Sequence, residues 1–253
     1  FQRESDAAAA APGAVLDQPY GPHPRQRLDA FPATAVARGV LLYLHAGYWQ
    51  SRDKALFRWL APAFQQRGFH MVFANYPLCP EVTLPALVQA LAPAVAAARA
   101  LVPQGAALPL AVAGHSAGAH LASLAGLDQP GRVDGVWAIS GIYDLGPLLH
   151  TTLNERLRLD ASTAQACSPL PRAGTATVPA AWLVGADETP DFLAQNRAMH
   201  AAWQTGGAFS CCIEQPGTDH FTVLRAWAAG EAGLEARFEA WWREVAARRA
   251  ARS

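Results

Sequence analysis

The sequence lacks several features that would place it in common protein classes. Only 16% of its 253 residues are charged, and 20 basic and 20 acidic side chains cancel to a formal net charge of zero. A chain without a net field does not favour nucleic acid, an anionic membrane surface or a highly charged substrate. We therefore predict no nucleic-acid and no membrane partner, and a small-molecule substrate that is neutral or weakly charged.

Metal-binding and cofactor-binding patterns are also missing. The four cysteines lack the C-x-x-C spacing of a zinc site, and no H-E-x-x-H cluster occurs. The first long apolar run leads into His-Ala-Gly-Tyr-Trp instead of the G-x-G-x-x-G of a dinucleotide-binding loop. We predict no metal, no cofactor and four reduced thiols, at Cys79, Cys167, Cys211 and Cys212.

Targeting signals are absent from the part of the chain where they are expected. No stretch has 18 uninterrupted apolar residues, and residues 1–30 do not place an apolar segment after a basic one. We predict a cytoplasmic protein, although a chain that begins at Phe1 leaves a removed leader open. A homodimer is compatible with this sequence, which does not determine the oligomeric state.

What the sequence does contain is a regular alternation of strand-like and helix-like segments. Continuous apolar strands joined by helical crossovers are typical of a mainly parallel sheet with helices on both faces, so we predict an α/β fold. The predicted strands are 39–45, 69–75, 108–114, 133–140, 178–185 and 208–214, and the predicted helices are 51–67, 84–101, 117–127, 191–205 and 231–250.

The predicted organisation is one domain with an extension at its start. Residues 1–30 are rich in Ala, Pro and Gly with little periodicity, which suggests a loosely held N-terminal arm. Residues 31–253 are predicted to form a single domain, the usual result for an α/β chain of this length. The segment 143–173 breaks the alternation, and we predict that it forms a small cap over the site.

A G-x-S-x-G motif is the strongest chemical signal. It reads Gly114-His-Ser116-Ala-Gly118, after a predicted strand and before a predicted helix. In that setting the glycines leave room for a strained turn that exposes the serine hydroxyl, the arrangement called a nucleophile elbow. We predict Ser116 as a nucleophile.

Partners for this serine follow later in the chain. Two carboxylates, Asp187 and Glu188, come after one predicted strand, and His220 comes after the next. In this order the histidine accepts the serine proton and the acid orients the histidine. The order does not decide between the two acids; we favour Glu188, with Asp187 as the alternative.

Backbone N–H groups for a developing oxyanion are expected in two places. One donor would be Ala117, directly after the nucleophile, and others would come from the loop after the first predicted core strand. That loop contains Gly47 and Tyr48, whose N–H groups we assign to the oxyanion hole. Each such donor contributes about 3 kcal/mol in the transition state.

Together these residues resemble the arylformamidases (kynurenine formamidases) of the α/β-hydrolase superfamily, neighbours of the hormone-sensitive-lipase esterases. One departure is Ala46, where the family usually has glycine; alanine would cost about 1 kcal/mol there if the position needs a positive φ. The resemblance extends over residues 45–221 and is carried by His45-Ala-Gly-Tyr-Trp-Gln50, Asn75-Tyr-Pro-Leu-Cys-Pro-Glu-Val-Thr83, Gly114-His-Ser-Ala-Gly-Ala-His-Leu121, Ser140-Gly-Ile-Tyr-Asp-Leu145, Gly185-Ala-Asp-Glu-Thr-Pro-Asp-Phe192 and Asp219-His-Phe221.

The resemblance implies an α/β-hydrolase fold and hydrolysis of N-formyl-L-kynurenine to L-kynurenine and formate through a formyl-enzyme at Ser116. Tyr48, Trp49 and Tyr143 would form an aromatic wall for such a substrate, an aromatic amide or ester, or they could be packing residues. A short-chain carboxylesterase is the first alternative. A catalytically inactive hydrolase fold that serves as a binding module is the second, although the nucleophile, base and acid are all present.

Overall fold

A computed structural model of the chain describes residues 1–252, without the side chain of Ala232. The strands are β1 (Val15–Pro19), β2 (Arg27–Phe31), β3 (Gly39–Leu44), β4 (Phe69–Ala74), β5 (Leu110–His115), β6 (Gly135–Ile139), β7 (Ala180–Gly185) and β8 (Ser210–Gln215). The α-helices are α1 (Gln2–Ala9), α2 (Ala61–Gln66), α3 (Leu84–Leu101), α4 (Ala117–Asp128), α5 (Asn154–Leu157), α6 (Ala161–Cys167), α7 (Pro190–Gln204), α8 (Thr222–Ala229) and α9 (Leu234–Ala250). Short 3-10 helices cover Lys54–Leu60, Gly146–His150, Leu170–Thr175 and Glu231–Gly233.

All eight strands belong to one sheet, in the order β1-β2-β4-β3-β5-β6-β7-β8. Strand β2 is antiparallel to both of its neighbours, and β3 to β8 run parallel to one another. Every residue of β3, β4, β5, β6 and β7 is buried, which explains why these strands read as unbroken apolar runs. The α/β prediction is confirmed, and all six predicted strands form within two residues of their expected ends.

Helices cover both faces of the sheet. On one face α3, α4 and α7 contribute buried residues such as Leu91, Leu121 and Met199 to the core. On the other face α2, α8 and α9 contribute Phe64 and Trp227, among others. Because the parallel strands end at the same edge, the loops after β3, β5, β7 and β8 meet there, and these loops carry the predicted site residues.

Helix α3 is long and apolar enough to cross a bilayer by length and composition alone. Its buried side chains, which include Leu84, Leu87 and Val95, belong to the core cluster on one face of the sheet. The Thr83 side chain caps its first turn by accepting the Ala86 N–H. The helix therefore packs as a core helix of the α/β layers.

The prediction of a loosely held arm over residues 1–30 is wrong. Strands β1 and β2 extend the sheet beyond β4, and the Ser5 hydroxyl of α1 accepts the Trp59 N–H at 3.2 Å. Asp29 in β2 is fully buried and pairs with Lys54 Nζ at 2.9 Å and with Arg58. The regular structure of residues 1–30 depends on contacts with residues far along the chain, so local periodicity could not predict it.

The segment 143–173 is helical and lies between β6 and β7. It contains the 3-10 helix Gly146–His150, α5, α6 and the start of the 3-10 helix Leu170–Thr175. His120 of α4 holds it through a 2.8 Å hydrogen bond between His120 Nε2 and the Cys167 carbonyl. Its role as a cap stays a prediction, as does the assignment of 31–253 to a single domain.

Candidate active site

Ser116 occupies a sharp turn between β5 and α4, with φ 57° and ψ −118°. A non-glycine residue in such a conformation costs about 1–3 kcal/mol, which the surrounding structure has to offset. Gly114 and Gly118 permit the turn, since a Cβ on either would lie 2.1 or 2.0 Å from a backbone oxygen. The Ser116 N–H donates to the Ile139 carbonyl at 2.8 Å. The fold thus holds this serine in the strained geometry of a nucleophile elbow.

His220 and Glu188 form a hydrogen-bonded pair next to the elbow. His220 Nδ1 lies 2.7 Å from Glu188 Oε2, and the Glu188 side chain is 1% exposed whereas that of His220 is 23% exposed. Because a carboxylate accepts, Nδ1 is the nitrogen that carries the proton when His220 is neutral. Nε2 is then left with a lone pair, which is the state a general base requires.

The two adjacent carboxylates have different surroundings. Glu188 also accepts from the Ser140 hydroxyl at 2.5 Å and from the Gly185 N–H at 2.9 Å, both through Oε1. The Asp187 side chain is exposed, and within residues 1–252 it makes no hydrogen bond or ion pair. Of the two acids left open by the sequence, Glu188 is therefore the one that contacts His220.

Two side chains that the sequence reading left without a role complete this arrangement. His115 Nε2 donates to the His220 carbonyl at 2.7 Å, and the centroids of the two imidazole rings lie 4.6 Å apart. Ser140, directly after β6, holds the second oxygen of Glu188 and has a φ of 50°. Both belong to the motifs that carry the resemblance, but only the tertiary structure shows that they contact His220 and Glu188.

Ser116 and His220 are brought to the same strand edge without a direct bond between them. Ser116 follows His115, whose Nε2 donates to the His220 carbonyl. The Ser116 N–H donates to the carbonyl of Ile139, the last residue of β6 before Ser140. Within residues 1–252 no hydrogen bond joins the Ser116 hydroxyl to the imidazole. Such a bond commonly tightens only when substrate is present.

The loop after β3, which contains the predicted oxyanion donors Gly47 and Tyr48, has an unusual backbone conformation. Gly47 has φ 131°, and a Cβ there would lie 2.2 Å from the Ser51 carbonyl, so glycine is required. In the described part of the chain, the N–H groups of Gly47, Tyr48 and Ala117 donate to no protein acceptor. Ala46 is buried and is not among the residues with positive φ. Alanine at this position therefore does not have the free-energy cost of a positive φ.

The assignment of Trp49 and Tyr143 to a substrate wall is wrong, because both side chains are fully buried. Trp49 Nε1 donates to His120 Nδ1 at 3.3 Å, which ties the β3 loop to α4. Tyr143 packs edge-on against Trp182 at 5.2 Å. Trp49 and Tyr143 are therefore packing residues, which was the alternative left open by the sequence. Tyr48, in contrast, lines a cleft.

The cleft lined by Tyr48 has a volume of about 430 Å³ and lies beside His220. Phe192 belongs to its wall, and the Phe192 ring lies 4.6 Å from the His220 ring. This size and lining suit a small molecule. The wall consists of Tyr48, Ile142, Asp144, Pro147, Leu148, Thr151, Leu153, Thr189, Asp191, Phe192, Ala194 and Gln195.

Three buried histidines behind the site are held neutral. Burial lowers the pKa of His45 and of His120 to about 4, and burial together with the charge of His220 lowers the pKa of His115 well below its usual range. A neutral His115 keeps one N–H for the His220 carbonyl. Within residues 1–252, no three His, Cys, Asp or Glu side chains are grouped to hold a metal ion.

Comparison with known proteins supplies the family. The BD-FAE family model matches residues 30–140. A kynurenine formamidase from Danio rerio is 28% identical over 83% of this chain and 75% of its own length. A crystal structure of a putative thioesterase from Silicibacter sp. has a TM-score of 0.81 at 31% identity, and the match covers 92% of this chain and 90% of that one. The chain belongs to the arylformamidase-like family of α/β-hydrolases.

Membership of the arylformamidase-like family confirms the predicted α/β-hydrolase fold and makes this chain a hydrolase of small molecules. The chain is also similar in sequence to an esterase. Esterase LipQ of Mycobacterium tuberculosis is 29% identical over 83% of this chain and 58% of its own length. The arylformamidase-like fold is therefore shared between formamide-cleaving and ester-cleaving relatives.

Proposed function

We propose that this protein is a serine hydrolase in which Ser116 is the nucleophile, His220 its base and Glu188 the acid that orients His220. The observation that carries the proposal is the 2.7 Å contact between His220 and buried Glu188, beside a serine in a strained elbow. The same order of residues, Ser, acid and His, occurs throughout α/β-hydrolases. An inactive binding module has no need of this strain, which costs stability.

In the first half of the reaction Ser116 Oγ attacks the carbonyl carbon of the substrate while its proton passes to His220 Nε2. Glu188 stabilises the resulting imidazolium through Nδ1. The oxyanion that forms on the former carbonyl oxygen accepts from the N–H groups of Gly47, Tyr48 and Ala117, which donate to no protein acceptor in the described residues. The bond to the leaving group then breaks, and the leaving group takes the proton from His220.

In the second half water replaces the leaving group. His220 Nε2 removes a proton from that water, which attacks the acyl carbon on Ser116. The tetrahedral intermediate uses the same oxyanion donors and breaks the bond to Ser116 Oγ. The serine regains its proton from His220, and the acid product leaves.

We propose an aryl formamide as the substrate, N-formyl-L-kynurenine, so that the acyl group is formyl and the products are L-kynurenine and formate. This rests on the similarity to kynurenine formamidases. The cleft supports it, since Tyr48 and Phe192 offer aromatic faces for an aryl ring close to His220. We place the activity in the cytoplasm, in a protein that acts as a monomer or a homodimer.

A short-chain carboxylesterase is the second candidate, favoured by the similarity to Esterase LipQ. The chemistry of the triad is the same for an ester and a formamide, so the difference lies in how each substrate fits the cleft. A measurement on both substrate classes separates the two functions.

The deciding experiment measures kcat/KM for N-formyl-L-kynurenine, p-nitrophenyl acetate and p-nitrophenyl butyrate. A preference of a hundredfold or more for the formamide, about 2.7 kcal/mol in the transition state, supports the formamidase. The opposite preference makes the protein a carboxylesterase on this scaffold.

Ser116→Ala is the blank for that experiment, and Ser162→Ala is its matched control, because Ser162 is exposed on α6. We expect Ser116→Ala to lose at least about a thousandfold in kcat and to keep its fold. Substantial turnover in this variant would overturn the assignment of the nucleophile.

A further inference from the structure

The cleft beside His220 has an uneven charge. Its wall contains two carboxylates, Asp144 and Asp191, and none of its twelve residues is Lys, Arg or His. The remaining lining is mainly apolar or aromatic, including Ile142, Leu148 and Phe192. A chain with no net charge thus presents a locally anionic cleft next to its proposed triad.

Neither carboxylate is neutralised by the protein. Both side chains are exposed, and within residues 1–252 neither takes part in an ion pair. Asp144 Oδ1 accepts the Gly146 N–H at 2.9 Å, which leaves Oδ2 free. Asp191 lies in the first turn of α7 and makes no side-chain hydrogen bond in the described residues. Their charge is therefore available to a ligand.

The wall that carries Asp144 is held in place. Gln195 of α7 accepts the N–H groups of Tyr143 and Asp144, each at 2.8 Å, and donates to the Asp144 carbonyl at 3.1 Å. This side chain therefore fixes the loop after β6 to the helix that carries Asp191. Two carboxylates on elements joined in this way form a preorganised charged wall.

We propose that the cleft receives the leaving-group side of the substrate and selects leaving groups that carry a cationic substituent, a protonated amine. The inference rests on the proposed serine hydrolase and adds the substrate class. Hydrocarbon and aryl parts would pack against Ile142 and Phe192, and the ammonium would face Asp144 and Asp191. The α-ammonium of N-formyl-L-kynurenine fits this requirement, with its carboxylate directed toward solvent.

A pair of esters tests this without depending on formamidase activity. The acetate of 4-(2-aminoethyl)phenol and the acetate of 4-propylphenol have the same acyl group and nearly the same shape, and differ in an ammonium against a methyl group. We expect kcat/KM about tenfold higher for the cationic ester. Because the attraction is electrostatic, the ratio should fall toward one in 1 M salt.

The test variants are Asp144→Asn, Asp191→Asn and the double variant. The amide introduced by Asp144→Asn keeps an oxygen for the Gly146 N–H, so the turn is retained. In the double variant we expect the ratio of kcat/KM for the cationic ester to kcat/KM for the neutral ester to fall to between one and two. Glu244→Gln, which removes an exposed carboxylate of α9 away from the cleft, should keep the wild-type ratio.

The outcomes separate this inference from the proposed function. A wild-type ratio near one, or a ratio that the double variant leaves unchanged, overturns the cationic preference while the hydrolase stands. Ester cleavage that persists in Ser116→Ala overturns the serine mechanism instead. If the esters are not cleaved, the same comparison uses N-formyl-L-kynurenine and its analogue without the α-amino group, and no turnover of any of the four overturns both proposals.

Discussion

At the scale of single residues, the site is built from conformations that most side chains avoid. Ser116, Tyr48 and Ser140 have φ between 50° and 57°, and Gly47 has φ 131°. Ser116 and Ser140 directly follow β5 and β6, and Gly47 and Tyr48 lie in the loop after β3. Such positions cost free energy and persist only where neighbouring contacts fix them, and here they flank the proposed nucleophile and its oxyanion donors.

Replacing the acid tests which carboxylate works with His220. We expect Glu188→Gln to lower kcat by about 10³- to 10⁴-fold. The Ser140 hydroxyl and the Gly185 N–H would keep the amide oxygen in the place of Oε1. An uncharged NH2 group would then face Nδ1, which favours the wrong tautomer and cannot stabilise the imidazolium. Asp187→Asn is the matched control and should stay within about threefold of the wild type, since Asp187 is exposed. Steady-state kinetics on one substrate measures both. A larger loss in Asp187→Asn would reverse the assignment.

At the scale of elements, the position of the proposed catalytic pair, His220 and Glu188, depends on hydrogen bonds between the loops after β5, β6, β7 and β8. Ser140 follows β6 and bonds Glu188, which follows β7; His115 ends β5 and bonds the carbonyl of His220, which follows β8. These bonds join four neighbouring strand ends. A substitution in one loop therefore changes the position of a group in another.

His115 is a positioning residue for His220 in this view, and its replacement tests the link. We expect His115→Phe to lower kcat about 10- to 100-fold with KM nearly unchanged, because His220 loses the donor to its carbonyl while the cleft is untouched. His115→Gln, whose amide can also donate, should recover part of the loss. A general structural defect would instead raise KM as well and would not be rescued by Gln.

At the scale of the whole molecule, buried neutral histidines make stability depend on pH. His45 and His120 are fully buried with pKa values lowered to about 4, so between pH 6.5 and 4 the unfolded chain binds more protons than the folded one. The free energy of unfolding therefore falls as pH falls through this window, by up to about 1.4 kcal/mol per pH unit for each histidine.

Urea unfolding at pH 7 and pH 5 measures this effect. His120→Gln removes one such group, so the loss of stability between the two pH values should be smaller than in the wild type by up to about 2 kcal/mol. The variant is expected to be less stable at pH 7, because Trp49 and Cys167 lose a partner. Equal losses in both proteins would mean that His120 is not buried in its neutral form.

The sequence by itself determined the repeating pattern of the fold and the identity of the chemical groups. Buried parallel strands must be continuously apolar, and helices must separate them, so six strands and helices such as α3 could be located from local composition. The elbow could be located too, since G-x-S-x-G between a strand and a helix is a local signal. The order of Ser116, the two acids and His220 was readable for the same reason.

Only the tertiary structure decided which of those groups meet. The choice of Glu188 over Asp187 depends on a hydrogen bond across 32 residues, and the burial of Trp49 and Tyr143 depends on packing against His120 and Trp182. Strands β1 and β2 form because β2 pairs with β4 and because buried Asp29 forms ion pairs with Lys54 and Arg58. Each of these outcomes depends on residues distant in sequence, and local pattern holds no information on such contacts.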